Sequence, residues 1–318
     1  MEKAGSKQTK PTAPEKIGID KTRLKEMIRA VSEAIRKPQG ASLFDAFQDL
    51  GSTKDRQNSI DDGIYLFRAH SAEVSAEAAR VVLRDLLHCF GEQMGSQAAE
   101  WEAIGKGLAG DSGNPAQFLA CVLRNDARAV TDSAHAWGVS PDSLSFLALF
   151  WARPFRAEAA RRLLKDVSLT SWRMGFCPIC GHWPAFAYLS SEGDRRSLRC
   201  AACTTTWKFD RIRCPFCLAT DTGKLSYFTV DDDDGFPVYV CDECKRYLKH
   251  RREEKGFPRE EDVDFVLSAP LDYVAASQGY IQESSISVRF DEPDGEAARA
   301  YRAKARYEEG PSGPSQVH

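Results

Sequence analysis

No apolar run in the 318-residue chain approaches the roughly 18 residues that a bilayer-spanning helix needs. The opening stretch, MEKAGSKQTKPTAPEK, has no hydrophobic segment of the kind a secretory leader carries. Together these absences predict a cytoplasmic protein with no membrane span. The chain also lacks a Gly-rich phosphate loop, a Gly-x-Ser-x-Gly nucleophile elbow and a His-Glu-x-x-His metalloprotease helix. These motifs would mark the common nucleotide, hydrolase and protease chemistries, so no catalytic residue is assigned and the chain is read as a non-enzyme. The formal net charge is -3, which denies it the broad positive field that gives nonspecific affinity for nucleic acid.

Cysteine is plentiful. Eight of the ten cysteines form four Cys-x2-Cys pairs: Cys177 and Cys180, Cys200 and Cys203, Cys214 and Cys217, Cys241 and Cys244. Each pair can act as a knuckle that presents two thiolates to one ion, so four pairs supply two closed tetrahedral sites suited to zinc or to iron of the rubredoxin type. In a chain without a leader, this spacing favours metal over a disulfide framework. Nineteen residues separate the first two pairs and twenty-three the last two, lengths that suit a hairpin returning the chain to the same ion. Local pairing is favoured over an interleaved cross-brace: one ion on Cys177, Cys180, Cys200 and Cys203, the other on Cys214, Cys217, Cys241 and Cys244. His182 and His250 lie close by, but each site already has its four ligands.

Ahead of the knuckles the pattern is helical. Residues 1–18 carry Lys and Pro without an apolar cluster and are expected to be disordered. From Asp20, a plausible N-cap, Leu24, Met27, Ile28, Val31 and Ile35 recur at helical spacing. Further helices are predicted at about 43–50, 74–94, 96–108, 115–137 and 141–168. No period-2 strand stands out before residue 170, so 19–170 is predicted to be an all-helical domain. Cys89 and Cys121 fall inside helical patterns and read as small buried hydrophobes.

From residue 171 the pattern changes. Residues 184–188 are apolar, a turn follows at 191–194, and 197–199 lead into Cys200; the plan repeats at 224–230, 231–235 and 237–240 before Cys241. A period of about forty residues predicts two tandem rubredoxin-like or zinc-ribbon modules, 171–209 and 210–256, within a 171–256 domain. A ribbon this short cannot stand on its own core, so metal binding becomes its folding energy. Losing Cys177 should therefore unfold its ribbon and spare the helical domain. Gly181 after the first knuckle suits a positive φ; Thr204, Leu218 and Lys245 in the equivalent places imply turns closed differently. Residues 257–290 read as an apolar helical segment packing back on the body, and 291–318 as a mobile charged tail. The fold class expected is therefore α plus a small β component.

The knuckle region then shows a specific resemblance. Trp172 stands ahead of Phe176-Cys177-Pro178-Ile179-Cys180-Gly181 with Pro184. Leu198-Arg199-Cys200, Cys203 and Trp207 follow, then Arg211 and Cys214-Pro215-Phe216-Cys217. Val240-Cys241-Asp242-Glu243-Cys244-Lys245, Tyr247-Leu248-Lys249, Leu271-Asp272 and Gly279-Tyr280 complete the series. In this order, over about residues 172–280, the chain resembles the FdhE family of formate dehydrogenase accessory proteins; the helical half matches in character only. The resemblance implies a helical half followed by two rubredoxin-like metal sites. It also implies a cytoplasmic, chaperone-like maturation factor that binds the catalytic subunit of a respiratory formate dehydrogenase before twin-arginine export.

Two other classes compete. A zinc-ribbon nucleic-acid-binding or transcriptional regulator draws support from the basic residues Lys245, Arg246, Lys249, His250, Arg251, Arg252 and Lys255, with Arg195, Arg196 and Arg199. Against it, residues 172–256 hold fourteen Lys and Arg beside twelve Asp and Glu, and two divalent ions in tetrathiolate sites turn the domain net acidic. The plain reading of the basic run is a solvated face. A thioredoxin-like redox enzyme would need one exposed pair and strand–helix alternation, which the pattern does not offer.

Overall fold

The structure, a computed structural model, describes residues 22, 25, 26, 28–31, 42–47, 51–67, 72–93, 98–109, 114–124, 126–190, 195–230, 236–252, 261–282 and 296–307. The expected disorder at 1–18, the N-cap at Asp20 and the two hairpin turns lie outside the described residues.

The first half is mostly helix: α1 (Thr53–Asp61), α2 (Ala76–Gln93), α3 (Ala98–Ala109), α4 (Pro115–Leu123), α5 (Ala127–Trp137) and α6 (Pro141–Leu163). Local chemistry sets their ends. Ser52 and Asp55 form a capping box on α1, Asn114 and Asp126 cap α4 and α5, and Ser140 with Pro141 starts α6. Part of the first predicted helix is seen at 28–31, with Ile28 and Val31 buried.

Three expectations for this half need correction. The stretch predicted as a helix over about 43–50 contains a strand, β1 (Phe44–Phe47), paired antiparallel with β2 (Ala72–Val74), so the half is not all-helical. Phe44 is the reason on one side of the ladder: it is buried edge-on to Phe155 at 5.9 Å. The helix predicted over 115–137 is two, because the Asp126 side chain accepts from the Ala129 N–H and starts a new helix. The last helix ends at Leu163 rather than near 168.

The second half is one six-stranded sheet of order β5-β4-β3-β8-β7-β6. Its strands are β3 (Pro184–Leu189), β4 (Arg195–Cys200), β5 (Thr206–Asp210), β6 (Leu225–Phe228), β7 (Val238–Cys241) and β8 (Arg246–Arg252). Each repeat is a three-stranded antiparallel meander, and β3 and β8 join the two in parallel, Phe186 opposite Lys249 and Leu189 opposite Arg252. The expected hairpins are present, but the two modules share a sheet instead of standing as separate ribbons. The third strand of each repeat had a signal in the sequence: exposure alternates strictly along β5, and on β8 Tyr247, Lys249 and Arg251 share one face.

Helices α7 (Glu261–Leu267) and α8 (Pro270–Ser277) lie on one face of this sheet, where Val274 and Ala275 bury against Phe228, Val238, Val240 and Tyr247. Part of the stretch expected to be a mobile tail is ordered, the rest of 291–318 lying outside the described residues. Residues 296–307 form helix α9 (Glu296–Tyr307), with Ala298 and Ala305 fully buried. The larger of two hydrophobic clusters runs from Val31 through the helices and knuckles to Ala305, and the smaller lies under α8.

Candidate metal centres

The hairpin register brings the cysteines together. Cys200 and Cys241 are the last residues of β4 and β7, and Cys200 lies opposite Pro184, so the returning strand delivers the second knuckle beside the first. The four sulfurs of Cys177, Cys180, Cys200 and Cys203 lie within 4.8 Å of one another, as do those of Cys214, Cys217, Cys241 and Cys244. All four of the first set are buried, while Cys217 and Cys244 of the second are half-buried.

The donor geometry fits a tetrahedral ion. A metal–sulfur bond of about 2.3 Å gives a tetrahedron edge of about 3.8 Å. The sulfur–sulfur separations are 3.4 Å for Cys177 and Cys203, 3.5 Å for Cys180 with both Cys200 and Cys203, and 3.7 Å for Cys214–Cys244 and Cys217–Cys241. A disulfide would need about 2.0 Å. The backbone N–H groups of Ile179 and Ala202 point at the sulfurs of Cys177 and Cys200, both at 3.4 Å, a contact that favours thiolate.

The electrostatics agree. Burial first, with the hydrogen bonds to Cys200 and Cys203 adding to it, pushes the Cys177 and Cys180 thiols well above their ordinary range. Cys200 is held well below it, because hydrogen bonds from Cys177, Cys180 and Cys203 overcome burial. In the second set Cys214 is raised and Cys241 lowered by the same mutual bonding. Crowded sulfurs alone thus share out their protons, and a cation is what would bring all four to thiolate. Helix α6 adds charge of the right sign beside the first set. The buried Arg156, whose Nη2 donates to the Val122 carbonyl at 2.7 Å, is close enough to Cys180, Cys200 and Cys203 for their charge to offset part of its burial penalty. A divalent ion with four thiolates carries a net −2, so a buried guanidinium is a favourable neighbour.

The two histidines belong to neither set. His182 Nδ1 sits 3.2 Å from the Cys180 carbonyl, and burial lowers its pKa to about 4. His250 bonds the Leu248 carbonyl and Arg196. Cys89 is buried and Cys121 half-buried, both on helices away from the two sets.

Only part of the basic run is a solvated face. Lys249 and His250 are buried, as are Arg196 and Arg199. Lys249 pairs with Asp272 at 2.8 Å, and Arg251 Nη1 reaches both Asp264 oxygens at 2.5 and 2.6 Å. Arg199 and Arg153 share Asp262 at 2.7 and 3.0 Å. Three carboxylates from α7 and α8 thus neutralise cations of the sheet and of α6. Lys245 and Arg252 remain exposed, and Lys255 is outside the described residues. Sequence reasoning missed Arg153 and Arg156 as neighbours of the first site. Their signal was present: both fall on the buried stripe of α6 with Leu149, Ala152 and Ala160.

A helical body joined to a sheet with two four-cysteine sets defines a protein of the double rubredoxin-like or zinc-ribbon class. Comparison with known proteins narrows this. No protein-family model matches the chain. It is similar to Protein FdhE of Escherichia coli O127:H6, 33% identical over 158 residues that make up 46% of this chain and 48% of that protein. It is similar also to a Protein FdhE homolog of Aquifex aeolicus, 28% identical over 148 residues, 46% of this chain and 52% of that protein. The chain thus spans about half the length of the curated relatives it matches. The crystal structure of the FdhE protein from Pseudomonas aeruginosa shares the fold, with a TM-score of 0.52 at 18% identity over 83% of this chain and 92% of that one. The sequence similarity to FdhE proteins thus covers about half of this chain, and the likeness to the crystal structure is one of fold. Among the described residues no helix is long and apolar enough to cross a membrane.

Proposed function

We propose that this protein is a formate dehydrogenase accessory factor that acts by binding and not by catalysis. In this reading each four-cysteine set holds one ion, zinc or iron, through Cys177, Cys180, Cys200 and Cys203 and through Cys214, Cys217, Cys241 and Cys244. When bound, the ions crosslink the knuckles into an ordered surface. That surface engages the catalytic subunit of a respiratory, twin-arginine-exported formate dehydrogenase in the cytoplasm, before export. The observation that carries the reading is the presence of both complete cysteine sets on the sheet of a chain whose sequence relatives are FdhE proteins. The nucleic-acid alternative loses part of its support, since Arg196, Arg199, Lys249 and His250 are buried and Arg199, Arg251 and Lys249 are paired with Asp262, Asp264 and Asp272.

The test is a deletion strain carrying the wild-type gene or the Cys214→Ser, Cys217→Ser double variant. Wild type should restore formate oxidation and co-purify with the catalytic subunit, and the double variant should do neither. Full formate dehydrogenase activity without this protein, or sequence-specific DNA binding that persists at physiological salt, would reject the proposal. Elemental analysis of the purified chain should find two ions.

A further inference from the structure

The two cysteine sets sit on different repeats, yet the chain segments that carry them touch. Gly175, just before the first knuckle, lies so close to the third knuckle that a Cβ on it would fall 1.9 Å from the Pro215 carbonyl oxygen. Helix α9 closes this contact from outside. The Gly175 N–H donates to the Tyr301 hydroxyl at 3.1 Å, and that hydroxyl donates to the Pro215 carbonyl at 2.6 Å. One phenol thus ties the approach to Cys177 to the turn between Cys214 and Cys217. The Tyr301 ring packs 5.5 Å from Phe176 of the first knuckle and 5.6 Å from Trp183, which in turn lies 5.5 Å from Phe216 of the third. One turn further along α9, Lys304 Nζ donates to the Cys217 carbonyl at 2.7 Å.

We infer that Tyr301 is a positioning residue through which the two four-cysteine sites load their ions as a coupled pair. The inference rests on the metal-binding reading above. Its physical basis is that a knuckle without its ion loses the energy that orders its turn. If the second site empties, the third knuckle loosens, and the Pro215 carbonyl and Phe216 leave their places. The Tyr301 hydroxyl loses an acceptor in a half-buried position, and Trp183 loses a packing partner beside the first site. Both losses fall on a chain with one ion and are absent from chains with two. The singly loaded state is therefore disfavoured, which is positive coupling between the sites.

The test loads the full chain with cobalt(II), withdraws the metal with a graded chelator, and counts zero-, one- and two-ion chains by native mass spectrometry. For two independent equal sites about half of the chains carry one ion at half-loading, and a coupling of about tenfold lowers that share to about a quarter. Unequal independent sites only raise it. Wild type should fall well below half. Tyr301→Phe, which keeps the ring and removes both hydrogen bonds, should move the share back towards half while the far-ultraviolet circular dichroism stays the same. Lys304→Met, at an exposed position, should move it in the same direction by less, and serves if the tyrosine variant does not fold. Because unequal sites raise the share in wild type and variants alike, the comparison decides: a wild-type share no lower than that of the Tyr301→Phe and Lys304→Met variants would overturn the coupling through α9. Failure to take up any cobalt would instead reject the metal-site reading, and the coupling with it.

Discussion

Gly181, Thr204, Leu218 and Lys245 each follow the second cysteine of a knuckle, and each takes a positive φ, of 73°, 62°, 66° and 55°. The glycine announced this conformation in the sequence, whereas the other three implied turns of another kind, and that implication was wrong. The knuckle demands the left-handed residue whatever occupies it: the N–H of Leu218 bonds the Cys214 carbonyl just as that of Gly181 bonds the Cys177 carbonyl. Side-chain identity sets only the cost, about 1–2 kcal/mol for a residue with a Cβ. Thr204→Gly should therefore stabilise the protein by about 0.5–1 kcal/mol after the entropy lost to glycine, seen as a higher thermal midpoint; a lower one would contradict the argument. Gly181→Ala should do the opposite, because its Cβ would also meet the Tyr65 ring at 2.8 Å. His250 supports a pH prediction. Burial first, then the nearby charges of Arg196 and Arg211, hold its pKa well below the ordinary 6.5. Arg196 Nη1 lies 3.0 Å from Nε2, and Nδ1 lies 2.9 Å from the Leu248 carbonyl, which fits a neutral ring. The unfolded chain binds a proton below pH about 6.5 that the folded chain refuses, so this contribution is complete above that pH and declines as the pH falls. Denaturant midpoints should drop in that window, and His250→Gln should flatten the slope by up to about 1.4 kcal/mol per pH unit. An identical slope in the variant would remove His250 as the cause, since acid release of the ions acts on both proteins alike.

The elements that escaped the sequence are those held by few, scattered contacts. Helix α9 reads as charge, yet Ala298, Tyr301, Arg302 and Ala305 follow helical spacing and form its inward face. A stripe of two alanines, one tyrosine and an arginine stem is too narrow for an apolar pattern to reveal. Ala298→Glu should force a carboxylate into a site only 1% exposed, detach the helix and speed tryptic cleavage around Arg299, Arg302 and Lys304; unchanged cleavage would show that α9 is held by other means. The charge pairing of β8 and α7 was obscured for a different reason. Their charges look solvated in the sequence and are paired across the sheet, an arrangement that depends on partners distant in the chain. Asp262 is the most exacting of the three carboxylates because it serves two buried guanidiniums, Arg153 and Arg199. Removing it should cost about 3–5 kcal/mol, the usual penalty for leaving buried charge uncompensated. Asp262→Asn, which keeps an oxygen acceptor, should cost less than Asp262→Ala in chemical denaturation. Equal losses would point to packing instead of charge.

At the scale of the whole molecule, the two halves are expected to unfold together. All eight cysteines of the two sets were legible because a spacing of two puts both sulfurs on one turn and the hairpin length returns the chain to them. What the knuckles touch was not legible, because those contacts come from residues roughly fifty to a hundred and ten positions away. The N–H groups of Leu66 and Phe67 bond the Pro178 and Ile179 carbonyls inside the first knuckle, at 3.0 and 2.7 Å. Tyr65 packs edge-on to Phe176 at 6.4 Å. Arg153 on α6 donates to the Ala201 carbonyl inside the second knuckle at 3.4 Å and to Asp262 beyond it. The buried core is continuous across these contacts. A sequence reading in separate domains predicts that Cys177→Ser removes one ribbon and spares the helices; the contacts argue that it does not. Losing the first ion frees a knuckle that supplies backbone acceptors to Leu66 and Phe67 and whose Phe176 packs against Tyr65, so the destabilisation, on the order of several kcal/mol for a structural site, spreads into the helical body. Unfolding followed through helical circular dichroism and through the thiolate–metal absorption of the second, intact site should give coincident transitions, both at lower denaturant than in wild type. Helices that melt at the wild-type midpoint while the ribbon signals are lost would establish two independent domains and reject this view.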